Sequence, residues 1–306
     1  MGKIAFMFSG QGAQYTGMGE DISDLPSALE IFNSADEALG FSISDICFNE
    51  SDKLNITEFT QPAILTTSIA LYAELKKYIT PDAVMGLSLG EYSALVASNA
   101  LEFTDAVKLV NKRGKLMTEA VPTGVGSMAA ILGLSSDLVA KTIQDIDGVY
   151  ISNYNCPKQY VIGGYKEAVQ KAMVALKEAG ARRTVELNVS GPFHTPLLKH
   201  AARQLSAEFD KVNFGSNDIP VVMNFTGEYL GDNLKSLLTS QVMGSVRFEE
   251  SIKLLEADGF DTFIEVGPGR VLSGFVKKVN KAFTILNVED KASLEVTLLK
   301  MEEQND

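Results

Sequence analysis

A serine between two glycines is the first feature of this sequence that could perform covalent chemistry. Ser88 is the central residue of Gly86-Leu87-Ser88-Leu89-Gly90, which follows a short apolar segment and precedes helix-forming residues 91–97. A G-x-S-x-G sequence between a strand and a helix is typical of a nucleophile elbow, a sharp turn that exposes the serine hydroxyl near the free N–H groups of the helix start. The same five residues could equally form a plain tight turn, so a base is needed to support a nucleophile.

His194 is the better candidate for that base, because the chain has only two histidines. It lies in the loop Ser190-Gly191-Pro192-Phe193-His194-Thr195-Pro196, before a predicted helix. His200 falls inside that helix, well off its apolar face, and we expect it to be exposed. A lone loop histidine is often a surface residue or a helix cap, but a serine nucleophile requires a base. The sequence therefore predicts that Ser88 and His194 act as a pair.

Arg113 lies on the apolar side of a predicted helix, residues 104–119, close in angle to Ala106 and Val110. A guanidinium keeps its proton and is costly to bury unless an anion meets it. Three interpretations are open: an ion pair with an internal carboxylate, a side chain that extends to solvent, or a fork that binds a substrate carboxylate through two hydrogen bonds.

Short apolar runs alternate with helix-period segments through most of the chain, which predicts an α/β fold with a largely parallel sheet. Strands are predicted near residues 4–8, 83–87, 221–224, 262–266 and 283–287. Helices are predicted near residues 62–78, 91–98, 104–119, 196–210, 248–258, 270–280 and 291–300. Ser88 directly follows the second of these strands.

The middle of the chain has a different order of elements, β-α-β-β-α-β, which is that of a ferredoxin-like unit. Its strands are predicted near residues 128–132, 149–153, 159–162 and 183–189, and its helices near residues 136–146 and 166–179. We therefore predict a large α/β hydrolase-like domain of residues 1–122 and 198–306, with a small ferredoxin-like domain of residues 123–197 inserted into it.

Composition and charge exclude several classes of protein. The chain has 306 residues, 45% of them hydrophobic, and a formal net charge of -12. That charge disfavours nucleic acid, whose phosphates are bound by clustered Lys and Arg. Cys47 and Cys156 are too few for a disulfide framework or a cysteine zinc site, and no apolar run is long enough for a membrane span. We expect a cytoplasmic protein without a metal.

Short motifs are spread over the whole chain. In order they are Phe8-Ser9-Gly10-Gln11-Gly12-Ala13-Gln14, Thr60-Gln61-Pro62-Ala63, the elbow with Glu91-Tyr92, Lys112-Arg113-Gly114, Asn153-Tyr154-Asn155, Gly191-Pro192-Phe193-His194, Val246-Arg247-Phe248 and Glu265-Val266-Gly267-Pro268-Gly269. Taken together, they resemble the motifs of the malonyl-CoA:acyl carrier protein transacylase family. The resemblance implies a hydrolase-like α/β core, a ferredoxin-like lobe, and an active site in the cleft between them.

The resemblance also implies residue roles. Ser88 matches the nucleophile and His194 its base. The backbone N–H groups of Gln11 and Leu89 match the oxyanion hole, and Arg113 matches the residue that holds the free carboxylate of the malonyl group.

Further roles follow from the same resemblance. Asn155 and Gln61 match positions that line the cleft, and the backbone carbonyl of Arg247 matches the group that orients the histidine. The ring of Phe193 is expected to restrict the acyl pocket to malonyl, because it leaves little room for a methyl branch. Many family members have histidine at the position of Leu87, which we interpret as a packing variant because the family's base is the later histidine.

The implied reaction is a ping-pong transfer of malonyl from malonyl-CoA through Ser88 to the pantetheine thiol of an acyl carrier protein, without a cofactor. We expect that partner to be acidic and transient, and this chain to be a monomer. Fatty acid biosynthesis is the expected pathway, and a polyketide synthase served by a free-standing acyltransferase is the alternative. Two other interpretations are open: a serine thioesterase, and a non-catalytic module that docks the carrier protein.

Overall fold

The described residues form nine strands. In the computed structural model, which describes residues 2–122 and 124–303, they are β1 (Lys3–Phe8), β2 (Ala83–Gly86), β3 (Gly126–Leu132), β4 (Val149–Cys156), β5 (Gln159–Tyr165), β6 (Arg183–Glu186), β7 (Val221–Val222), β8 (Phe260–Val266) and β9 (Thr284–Val288).

The α-helices of the described residues are α1 (Pro26–Leu39), α2 (Ile43–Phe48), α3 (Thr57–Leu75), α4 (Gly90–Ala97), α5 (Phe103–Glu119), α6 (Ser136–Ile143), α7 (Lys166–Glu178), α8 (Lys199–Phe209), α9 (Leu234–Met243), α10 (Phe248–Ala257), α11 (Val271–Val279) and α12 (Lys291–Glu303). Short 3-10 helices span Glu20–Ile22, Asp52–Asn55 and Pro196–Leu198.

The large sheet is parallel throughout and has the strand order β7-β2-β1-β8-β9. Strand β1 shows why it lies at the centre, since its residues are apolar on both faces. Phe6 and Phe8 pack into one core cluster, while Ala5 and Met7 pack into a second cluster on the opposite face. Parallel strands buried on both sides are typical of α/β proteins. The predicted fold class is confirmed.

The small sheet is antiparallel and has the order β4-β5-β3-β6, which is the ferredoxin-like arrangement. Its own core includes Ile131 and Ile162 from the sheet and Val139 and Leu176 from helices α6 and α7. The last strand ends at Glu186, three residues earlier than predicted. The exact domain limits stay predictions, and Thr123, where the small domain was predicted to begin, lies outside the described residues.

Sequence reasoning missed three helices, α1, α2 and α9. For α1 the signals were present: Pro26 occupies its first turn, and Gly40 ends it in the left-handed conformation, with φ of 73°. For α9 the signals were weak, because Ser and Thr interrupt its apolar residues. The omission of α9 matters most, since this helix carries a residue of the candidate site.

A short segment after α9 joins the two sheets. The N–H of Tyr154 donates to the carbonyl of Val246 at 2.8 Å, and the N–H of Val246 donates to the carbonyl of Ser152 at 2.9 Å. The hydroxyl of Ser245 also donates to the carbonyl of Ile151 at 2.6 Å. These bonds extend the edge of β4, so the small sheet is attached directly to the segment that follows α9.

Within residues 2–122 and 124–303, no helix combines the length and the apolar character that a membrane crossing requires.

The turn between β2 and α4 depends on its two glycines. A Cβ atom on Gly86 would lie 2.1 Å from the backbone carbonyl of Gly90, and a Cβ atom on Gly90 would lie 2.1 Å from the carbonyl oxygen of Phe8. Since backbone atoms cannot move aside as a flexible side chain can, no larger residue fits either position without a shift of the strand.

We expect Gly86→Ala to lower the free energy of unfolding by about 3 kcal/mol, at the upper end of overpacking costs, because the added methyl group meets backbone. Gly274→Ala is the matched control: Gly274 is exposed in α11 with open space around it. That change should raise the free energy of unfolding by about 0.5–1 kcal/mol, the usual gain of alanine over glycine in a helix. Urea unfolding measures both, and equal small shifts would contradict the close packing.

Candidate active site

Ser88 lies at the carboxyl end of β2, in the turn that leads into α4. Its φ of 54° is in the left-handed region, which costs a non-glycine residue about 1–3 kcal/mol. Asn224, just beyond the neighbouring strand β7, holds this conformation. Its Oδ1 accepts from the N–H of Ser88 at 2.6 Å, and its Nδ2 donates to the carbonyl of Gly86 at 2.7 Å. One side chain therefore clamps both ends of the turn.

The structure brings His194 to the serine. Ser88 Oγ and His194 Nε2 are 2.7 Å apart, and His194 is only 4% exposed. The other ring nitrogen, Nδ1, lies 2.7 Å from the carbonyl oxygen of Gln241. A carbonyl can only accept, so Nδ1 carries the proton of the neutral ring and Nε2 is free to accept from the serine hydroxyl. His200 is exposed on α8, as predicted.

The carbonyl of Gln241 is available because of its place in α9. The last four carbonyls of an α-helix have no partner within the helix, and Gln241 is in the last turn of this one. The carboxyl end of a helix also carries partial negative charge, which favours a histidine that becomes positive. A helix end thus takes the place that an acid occupies beside the histidine of many serine hydrolases.

The predicted role of Arg247 is wrong. Its carbonyl accepts from the N–H and the hydroxyl of Ser251, both at 3.0 Å, because Arg247 immediately precedes α10 and its carbonyl begins the bonding of that helix. Its guanidinium binds Glu250 at 2.9 Å. Gln241, in the overlooked helix α9, contacts His194 instead.

Arg113 is buried beside the nucleophile and is only 1% exposed. Its Nη2 donates to Ser88 Oγ and to Gln241 Oε1, each at 3.0 Å, and its Nη1 donates to Gln61 Oε1 at 2.8 Å. No ion pair in the described part of the chain includes Arg113. Neither the internal ion pair nor the solvent-extended side chain is what the structure contains. A buried positive charge without an ion-pair partner lies 3.0 Å from the serine oxygen.

Burial and charge together determine the protonation of the base. Burial lowers the pKa of His194 to about 3, the positive charge of Arg113 lowers it as well, and the hydrogen bond with the Gln241 carbonyl opposes them. His194 is therefore neutral at neutral pH, the state in which it can accept the serine proton.

A cleft of about 520 Å³ opens over the serine between the two sheets. The predicted residues Gln11, Gln61, Asn155 and Phe193 line it together with Ser88, Arg113 and His194. Leu87 also lines the cleft and packs against the core cluster of Met7 and Phe263. It therefore acts as a packing residue in this structure.

Two backbone donors remain for a developing oxyanion. The N–H of Ser88 is occupied by Asn224, but in the described part of the chain the N–H groups of Leu89 and Gln11 have no acceptor. Leu89 immediately precedes α4, where free N–H groups point out of the helix. A tetrahedral oxyanion on a substrate bound to Ser88 needs such donors.

Sequence reasoning missed Gln241 and Asn224, and it noted Glu91 only as part of a motif. Asn224 was the last residue of a predicted strand, where polar side chains of parallel sheets often line sites. Glu91 stands among apolar residues of a predicted helix, which was a signal of a specific partner, and in the structure it is fully buried. Gln241 lies in a helix that was not predicted.

Comparison with known proteins finds relatives that match along almost the whole chain. A family model described as "Acyl transferase domain" matches residues 5–300. The malonyl CoA-acyl carrier protein transacylase of Bacillus subtilis is 45% identical over 315 aligned residues, which cover 100% of this chain and 99% of the relative.

Solved structures of the same kind are similar over the full length. The malonyl CoA-acyl carrier protein transacylase from Clostridium perfringens superposes with a TM-score of 0.97 at 47% identity, covering 99% of this chain and 98% of that one. A malonyl-transacylase solved in complex with its type II polyketide synthase acyl carrier protein has a TM-score of 0.94 at 36% identity, covering 97% of this chain and 99% of that one.

The rate at which phenylmethylsulfonyl fluoride, a neutral serine reagent, modifies Ser88 should change less than about threefold between pH 8 and pH 5. The reason is that a base with a pKa of about 3 stays neutral over this range. A histidine with an ordinary pKa near 6.5 would lose about thirtyfold at pH 5. Loss of tryptic-peptide intensity by mass spectrometry measures the rate, Ser88→Ala is the blank, and a thirtyfold fall centred near pH 6.5 would contradict the burial argument.

Proposed function

The chain belongs to the acyl transferase domain family, and from that premise we propose that it transfers malonyl from malonyl-CoA to the pantetheine thiol of an acyl carrier protein. The observation that carries this proposal is Arg113: a buried guanidinium with no ion-pair partner among the described residues lies 3.0 Å from the nucleophile. Such a group favours an acyl chain that ends in a carboxylate, as malonyl does. The names of the full-length relatives support the same substrate.

In the first half-reaction, Ser88 Oγ attacks the thioester carbonyl of malonyl-CoA while His194 Nε2 takes the serine proton. The N–H groups of Gln11 and Leu89 donate to the oxyanion of the tetrahedral intermediate. As the intermediate collapses, the carbon–sulfur bond breaks and the imidazolium returns its proton to the CoA thiolate. The products are malonyl-Ser88 and free CoA, and His194 is neutral again.

In the second half-reaction, His194 takes the proton of the pantetheine thiol, and the thiolate attacks the malonyl ester on Ser88. The oxyanion forms at the same donors, the ester bond breaks, and His194 returns the proton to Ser88 Oγ. Every step moves only protons and an acyl group between a hydroxyl and two thiols. The proposed reaction therefore requires no metal and no redox cofactor.

Arg113 selects the acyl group in this scheme. A malonyl group on Ser88 Oγ ends in a carboxylate two carbon atoms beyond the ester carbon, within reach of a guanidinium whose Nη2 is 3.0 Å from that oxygen. The ion pair between the Arg113 guanidinium and the malonyl carboxylate also fixes the acyl chain in the buried site, which disfavours attack by water. Phe193, beside the base and lining the cleft, limits the room for a branched acyl group.

We propose that the carrier protein is acidic and binds transiently at the rim of this cleft. Exposed Arg183 lies on β6 and exposed Lys277 on α11. The chain just after β6, and Phe275 of α11, line the cleft, so both cations belong to elements that border it. Local positive charge of this kind speeds association with an acidic partner even when the net charge is -12.

We further propose that this chain is a monomer and that it serves fatty acid biosynthesis in the cytoplasm.

Incubation with malonyl-CoA should give one malonyl group per chain on Ser88 and one equivalent of CoA. Release of CoA should then stop until holo acyl carrier protein is added. Intact-mass spectrometry and a thiol assay follow the two products. Continuous CoA release without a carrier would instead identify a thioesterase, and an unmodified Ser88 would identify a non-catalytic docking protein.

We expect Arg113→Ala to reduce malonyl loading by about thirtyfold to several thousandfold, which corresponds to roughly 2–5 kcal/mol for a truncated, desolvated charge pair. Loading with acetyl-CoA should not fall in parallel, since acetyl has no carboxylate for Arg113 to bind. The ratio of the two loading rates is therefore the measurement, because it cancels any general disturbance of Ser88 and Gln241. An unchanged ratio would remove Arg113 from substrate selection.

A further inference from the structure

Glu91 is a buried carboxyl that the proposed reaction does not use. It is the second residue of α4, three positions after the nucleophile, and its exposed fraction is 0%. A carboxyl in such a place is costly unless its oxygens are well used. Among the described residues, only one of the two oxygens accepts hydrogen bonds.

That oxygen, Oε2, accepts two hydrogen bonds. Gln241 Nε2 donates to it at 2.8 Å, and the N–H of Asn224 donates at 3.4 Å. The other oxygen, Oε1, is buried and has no hydrogen-bond partner among the described residues. Glu91 therefore joins α4 to the end of α9 and to the end of β7 through a single acceptor atom.

Both partners of Glu91 hold the reacting groups. Asn224 Oδ1 accepts from the N–H of Ser88. The carbonyl of Gln241 accepts from His194 Nδ1, its Nε2 also donates to the carbonyl of Ser88 at 2.7 Å, and its Oε1 accepts from Arg113. The side-chain amide of Gln241 is thus oriented by an acceptor on one side and a guanidinium on the other.

We propose that Glu91 is a positioning residue for the acyl transfer, whose Oε2 fixes Gln241 and Asn224 and, through them, the distance and angle between Ser88 and His194. The inference rests on the proposed function, because acyl transfer is the reaction that Glu91 would assist. The alignment of Ser88 with His194, however, affects every nucleophilic attack by Ser88. A misplacement of a catalytic group by 1 Å can cost about a hundredfold in rate, so a small movement of Gln241 matters.

The position of the acceptor oxygen, rather than a negative charge, is what Glu91 supplies. Among the described residues only Oε2 has partners. Burial raises the pKa of Glu91 to about 7, although its two hydrogen bonds and the charge of Arg113 oppose this rise, so the neutral and charged forms are both populated near neutral pH. A glutamine can place its carbonyl oxygen where Oε2 lies and its amide nitrogen where the unpartnered Oε1 lies. An aspartate keeps the charge but is one methylene shorter, so its oxygens withdraw from Gln241.

The test compares Glu91→Asp, Glu91→Gln and Glu91→Ala in the full chain, using the rate at which phenylmethylsulfonyl fluoride modifies Ser88. We expect Glu91→Ala and Glu91→Asp to slow the modification by about tenfold to a hundredfold. Glu91→Gln should react at a rate within about threefold of that of the protein with Glu91. Rates are divided by the folded fraction from circular dichroism, so that a loss of stability alone does not imitate the effect.

Glu249→Ala is the matched control, because Glu249 is also a largely buried carboxyl but accepts from Lys253 on α10 instead of from the site. It should leave the rate unchanged. A second readout is the proton NMR resonance of the His194 Nδ1–H, which hydrogen bonding shifts downfield. That resonance should persist in Glu91→Gln and shift or broaden in Glu91→Asp.

Two outcomes would overturn the proposal. In the first, the reagent modifies the Asp variant as fast as the protein with Glu91. In the second, the Asp and Gln variants are slowed equally. If the Ala variant does not fold, the Asp and Gln pair still decides. The reagent carries no malonyl group, so a failure of malonyl loading would overturn the proposed function and leave this inference standing. Normal malonyl loading together with either of the two outcomes above would overturn this inference and leave the proposed function standing.

Discussion

The hydrogen bond between His194 Nδ1 and the carbonyl of Gln241 is the interaction on which the rest of the site depends. It determines which ring nitrogen carries the proton, and so it makes Nε2 an acceptor for Ser88. A carbonyl needs no counter-charge, which allows the histidine to be buried and neutral. The partial negative charge of the helix end then stabilises the imidazolium only while it exists, during the reaction. A fixed carboxylate would instead raise the pKa of the resting histidine.

The same arrangement explains how an arginine can lie beside a histidine base. If His194 were positive at rest, Arg113 would repel it strongly, because both side chains are buried. Instead burial keeps His194 neutral, and the charge of Arg113 reinforces that state. The neutral amides of Gln61 and Gln241 accept from the guanidinium without cancelling its charge. Its attraction for an incoming carboxylate is therefore retained, which internal pairing with Asp or Glu would have removed.

The sequence predicted what local patterns encode. Strands β1 and β2 are apolar runs, and the two glycines around Ser88 are required by a sharp strand-to-helix turn. Arg113 was recognised because it lies on the apolar side of an amphipathic helix. Sequence reasoning failed where a contact joins distant segments. Gln241 lies 47 positions from His194, in a helix whose apolar pattern is broken by Ser and Thr. The role of Arg247 was predicted from a motif. In the structure its carbonyl accepts the first hydrogen bonds of α10, from Ser251, and a sequence pattern does not reveal that bond.

The connection between the two sheets has a mechanical consequence for the site. The segment that pairs with β4 begins at Ser245, two residues after the end of α9, and Gln241 lies in the last turn of that helix. The small sheet forms one wall of the cleft, through residues such as Met128 and Val161. A displacement of that wall therefore pulls on the same helix end that holds His194. The side chain of Gln241 resists such a pull, because Glu91 and Ser88 of the large domain bind its amide nitrogen. The alignment between serine and histidine therefore survives a shift of the small sheet only as far as these two bonds permit.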